Sequence, residues 1–110
     1  MKSKRTQALE IPHKVKESVH KRDNGCDIWD GTPVDVSCSC CHYIPRTHSG
    51  LGIEQNIVTL SPENHRLFDK GPIEVRMAME AFIKVYLMTY YANWGWTEEK
   101  LKYKRSFENG

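Results

Sequence analysis

A chain of 110 residues with 27% charged and 39% hydrophobic side chains is sized for one soluble globular domain. No apolar run approaches the roughly 20 residues of a membrane span, and the basic start MKSKRTQALEIPHK has no apolar stretch of the kind a secretory signal carries. The net charge of +2 excludes nothing, but its distribution is uneven. Lys2, Lys4, Arg5, Lys14, Lys16, Lys21 and Arg22 load the first quarter, and Lys100, Lys102, Lys104 and Arg105 load the end. Two readings of those ends stand level: a polyanion partner, most simply nucleic acid, or solubilising tails.

In chain order, residues 1–12 read as a flexible basic N-terminus closed off by Pro12. HKVKESVHKR, residues 13–22, predicts a short polar helix. Turn chemistry follows at Asn24-Gly25 and Asp30-Gly31. Val34 and Val36 alternate with Asp35 and Ser37, a short strand signature, and HYI at 42–44 continues as a second strand. PRTHSGLGIEQ is a loop with two glycines, and NIVTL is another short apolar run.

SPENHRLFDK opens with Ser61 as N-cap, Pro62 at the first helical position and Glu63 in the first turn, and Gly71-Pro72 ends that helix. The strongest helix is PIEVRMAMEAFIKVYLMTYYANW, residues 72–94. Arg76, Glu80 and Lys84 form its narrow polar stripe at i, i+4, i+8. A helix so apolar is expected to be buried on most sides, by its own core or by a second chain, so a homodimer through this helix is one expectation. Thr97 reads as the cap of a short final helix fading into a basic tail. The order is that of an α+β domain with a β-β-α unit in its middle.

Four cysteines crowd into residues 26–41. In a reducing cytoplasm, where such a chain is expected to be made and used, they favour metal or packing roles over disulfides. The stretch CSCCHYIPRT holds three of them and then His42. Cys41 and His42 sit on a strand, while His65 and Asp69 share one face of the next helix at i, i+4. Together they gather N, O and S donors of the kind that hold a metal with an open position.

Residues 41–65, CHYIPRTHSGLGIEQNIVTLSPENH, resemble the ββα-metal (His-Me finger) core of the HNH endonucleases, with His42, Asn56 and His65 at the three named positions. The likeness extends over roughly residues 13–105 and is close to small phage-type members that work beside the terminase. It implies a nuclease core at 13–71, a C-terminal helical extension of the same domain at 72–105 and a flexible tail at 106–110.

The resemblance implies hydrolysis of DNA phosphodiester bonds with one divalent metal ion: magnesium, manganese, nickel or zinc. His42 would be the general base, and Asn56 would hold the strand that carries it. His65 and Asp69 would bind the metal, and Arg46 and Arg66 would meet phosphate charge. The implied partners are double-stranded DNA and a phage terminase or portal, in a bacterial host cytoplasm and away from membrane.

The chain departs from the family pattern in two places. Cys41 stands where an Asp or His ligand is usual; it either binds the metal as a thiolate or leaves the shell to His65, Asp69, water and phosphate. The two C-x-x-C pairs that hold a structural zinc in many members are reduced to Cys26, with Trp29, Ser61 and Asn64 at the other positions. A structural zinc on four cysteines is therefore not expected, and the cap at Ser61 and apolar packing by Trp29 are expected in its place. The competing readings are a catalytically weakened DNA-binding or terminase-accessory relative, and a zinc-binding interaction module built on the cysteines.

Overall fold

The structure, a computed structural model, describes residues 2–38 and 40–104. Among these the regular elements run α1 (Lys4–Leu9), α2 (His13–Arg22), β1 (Cys40–His42), β2 (Ile57–Thr59), α3 (Pro62–Lys70) and α4 (Ile73–Tyr90), with short 3-10 turns between and after them. The fold is α+β. β1 and β2 form an antiparallel pair with Cys40 opposite Thr59, Cys41 opposite Val58 and His42 opposite Ile57. No helix among the described residues is long and apolar enough to cross a membrane.

The N-terminal expectation is corrected. Ser3 accepts a hydrogen bond from Thr6 N through its side chain and starts α1, and Leu9 at its end is buried. α1 lies on the loop that joins β1 to β2. Gly52 N donates to Ala8 O at 2.9 Å, and a Cβ at Gly52 would stand 1.8 Å from Glu10 O, so only glycine admits the segment this closely. Arg5 donates to Arg46 O and to Ser49 Oγ at 3.3 and 3.2 Å. The loop's other edge holds the C-terminal segment: Leu51 N donates to Leu101 O and Tyr103 N to Ser49 O.

α2 has the bounds its sequence predicts. Beyond it, Asn24, Gly25 and Gly31 take positive φ at the expected turns. The strand expected at Val34–Val36 does not form. Pro33 makes one isolated bridge to Cys26, and Asp35 Oδ1 captures the amide and hydroxyl of Ser37 at 2.9 and 2.6 Å. That local capture competes with pairing and turns the chain into a 3-10 turn at Val36–Cys38. The second strand begins two residues earlier than HYI, at Cys40.

α3 follows its start signals, with Ser61 Oγ accepting from Asn64 N at 3.1 Å and Pro62 in the first turn. α4 stops at Tyr90 rather than running to Trp94; a 3-10 turn at Ala92–Trp94 follows, closed by Gly95 with φ 77°. The final helix is a single 3-10 turn, Glu98–Leu101, and the Thr97 side chain makes no capping bond there. The expected tail at 106–110 lies outside the described residues.

The core is the inner side of the sheet against one stripe of α4. Met79, Ile83 and Leu87, at i, i+4, i+8, are fully buried with Cys41, Val58, Leu60 and Leu101. The expectation that α4 is buried on most sides is overturned within the described chain: Ile73, Met77, Phe82, Val85 and Met88 are exposed. A buried charge knot ties α2 to the rest. Arg22 and Asp23 pair at 2.8 Å, and Arg22 also donates to Glu54 O, Ile57 O and Tyr91 Oη. Asp23 accepts from Thr59 N and from the Tyr86 hydroxyl. Burial works against the Arg22 charge, but Asp23 and then Tyr91 more than offset it, and the guanidinium stays charged.

Candidate active site around His42

Successive strand residues face opposite ways. Cys41 faces the core, at 2% exposure, and His42 faces the other side, towards α1. There His42 Nε2 meets the Leu9 carbonyl oxygen at 2.9 Å. A carbonyl only accepts, so Nε2 carries the proton and the Nδ1 lone pair of the neutral ring is left available. Burial lowers the pKa of His42 from its ordinary value; the Leu9 carbonyl offsets this in part, and the positive charges of Arg46 and His65 lower it further. The ring is therefore neutral near pH 7, with one nitrogen fixed and the other basic.

Asn56 is fully buried just before β2. Its Oδ1 accepts from Ile44 N at 2.8 Å, and its Nδ2 donates to Ile44 O at 3.1 Å and Leu51 O at 2.9 Å. The amide thus ties the start of the β1–β2 loop, at Ile44, and its middle, at Leu51, to the residue that enters β2. Gly50 makes room for it: a Cβ there would lie 1.6 Å from Ile44 O and 3.0 Å from Asn56 Nδ2.

His65 is half-buried on α3, with Arg66 and Asp69 exposed on the same helix and Arg46 exposed on the 3-10 turn after Pro45. His65 lies close enough for its charge to act on His42, and Asp69 close enough to act on Cys41. His65 and Asp69 form a two-donor pair, one imidazole and one carboxylate, a turn apart. Among the described residues no group of three or more His, Cys, Asp and Glu side chains is arranged to hold a metal.

Cys41, the third ligand held open by the sequence, faces the core rather than the side of the sheet that His42 faces. Burial, then the charge of Asp69, pushes its thiol far above the usual range. Its Sγ donates weakly to His42 O at 3.6 Å and otherwise packs as a small apolar group.

The turn after α2 is joined to the start of α3 by a carboxylate hub. Asp27 is buried and accepts from Trp29 N, Asp30 N, Ser61 N and Asn64 Nδ2 at 2.7, 3.1, 2.7 and 2.9 Å. Asn64 also donates to Asp30 Oδ2 at 2.8 Å. Trp29 packs against the core and meets Phe82 edge-on at 5.5 Å between ring centroids. Packing by Trp29 and the Ser61 cap were expected; the Asp27 hub was not.

The other residues that sequence reasoning missed are Leu9, Arg5, Gly50 and Gly52. Leu9 acts through a backbone oxygen, for which no side-chain signal exists; the two loop glycines were the readable sign of a close approach. No family model, curated protein or solved structure matches this chain.

Proposed function

We propose that the chain is a metal-dependent DNA endonuclease of the HNH type. The observation that carries the reading is the fixed tautomer of His42: Nε2–H held by Leu9 O, Nδ1 left as a base, and a lowered pKa that keeps it neutral near pH 7. His42 Nδ1 takes a proton from a water whose oxygen attacks phosphorus, and the P–O3′ bond breaks. Asn56 keeps β1, and so the base, in register. Arg46 and Arg66, both exposed, offset phosphate charge.

His65 and Asp69 are the donors that would hold a divalent ion, and their N, O character suits a borderline or hard cation. Such an ion supplies charge relief to the phosphate and the leaving oxygen. Cys41 stays outside this set.

The test is plasmid nicking by the full chain in magnesium, manganese, nickel and zinc, with His42→Ala as control and DNA binding measured beside it. Nicking lost in His42→Ala with binding retained supports the reading. Nicking that survives His42→Ala removes the general base. Binding without nicking in every metal leaves a DNA-binding module.

A further inference from the structure

The outward face of α4 carries an apolar stripe that nothing in the described chain covers. Met77 and Val85 are 63% and 61% exposed, and Ile73, Ala81 and Met88 lie on the same face. At 1.5 Å per residue the stripe from Ile73 to Met88 is about 22 Å long. A run of large exposed apolar groups on a helix marks an interaction surface.

We propose that its occupant is a second copy of this chain, with the two α4 helices antiparallel and Ala81 at the two-fold axis. The stripe is nearly symmetric about that residue. Met77 and Val85 each stand four residues from Ala81, so each meets the other across the axis. Ile73 and Thr89 each stand eight away, so the two ends of the stripe come level across the axis. The small side chain at 81 lets the helices approach where they cross.

The charges select the same orientation. Glu80 and Lys84 lie one turn apart on one flank of the stripe, both exposed. Antiparallel helices related by a two-fold bring equal flanks together, so Glu80 faces the partner's Lys84 twice. A parallel pair would bring opposite flanks together, setting Glu80 and Lys84 against the partner's uncharged flank of Phe82 and Val85. Among the described residues Lys84 makes a loose surface ion pair with Glu98 at 3.7 Å, which is weak enough to exchange. Glu74 is the one charge on the stripe, and it sits in the first turn, where its carboxylate can reach water. Stable interfaces bury about 800 Å² per partner. One helix pair lies at the small end of that range, so the dissociation constant is expected to be roughly micromolar.

Sedimentation equilibrium of the full chain across a micromolar concentration series tests this. The expected result is a species of twice the 12.8 kDa chain mass. Val85→Glu is expected to weaken association by about 100-fold with an unchanged circular dichroism spectrum, since Val85 makes no part of the core. Glu80→Lys and Lys84→Glu should each weaken it by about 10-fold, and the double exchange should restore it. A monomer throughout overturns the proposal, as does a dimer indifferent to Val85→Glu. Loss of association without restoration in the double exchange overturns the antiparallel arrangement.

Discussion

His42 Nε2 stands 2.9 Å from the carbonyl oxygen of Leu9, a residue 33 positions earlier in the chain. That contact fixes which ring nitrogen is protonated and which is basic. It also explains why α1, short and polar, is held down at all: the same segment bonds to Gly52 and covers the β1–β2 loop.

The first prediction concerns pH. A base must be unprotonated, and the pKa of His42 is lowered, so nicking should fall only on the acid side, with a midpoint below about 6.5. The sign is the same for folding. The unfolded chain binds this proton more readily, so the contribution is full above about pH 6.5 and is lost as pH falls towards the folded value. An NMR titration of the His42 ring checks it; a midpoint above 6.5 is the contrary result.

Asn56→Ala should cost about 3 kcal/mol or more in urea denaturation. It leaves Ile44 N, Ile44 O and Leu51 O buried without their partner. Nicking should fall together with stability, since the loop and β1 loosen as one. A loss below 1 kcal/mol would mean that water replaces the amide.

Asp69→Ala should weaken divalent-ion binding by about 10-fold or more, read by calorimetric titration, while the melting temperature changes little because Asp69 is exposed. Cys41→Ala should leave the ion titration unchanged and lower stability instead, since Cys41 is packed in the core. An unchanged titration in Asp69→Ala removes it from the site.

Asp27→Ala should destabilise by about 2–3 kcal/mol, because four donors from two segments lose their acceptor. Thermal unfolding of Asp69→Ala, which lacks the proposed ion site, should be indifferent to a strong chelator. A fall of several degrees on adding one would show that a metal, and not Asp27, joins the segments.

The parts of the fold that were legible are those set by local chemistry. The Ser61–Pro62–Glu63 start and the polar run 13–22 decide their helices within a few residues, and both stand where read. Val34–Val36 misled because alternation states a preference while a strand needs a neighbour, and Asp35 offered its own bond first. α4 misled in the other direction: its composition shows how much apolar surface it has but not which chain buries it.

At the site, side-chain identities led to His42, His65 and Asp69, and only the resemblance pointed to Asn56. The groups that fix their geometry, Leu9 O and the Asp27 carboxylate, were invisible, one as a backbone atom and the other as an ordinary turn-region acid.

The β1–β2 loop is gripped on one edge by α1 and on the other by Leu101 and Tyr103. A ribosome delivers these grips in order. Leu9 emerges before His42, so the ring's acceptor is waiting for it, whereas the second edge stays open until Tyr103 has left the tunnel. Truncated products of interrupted translation would therefore carry the histidine and its acceptor but a loop closed on one side only. The site is completed by nearly the last described residues to be made.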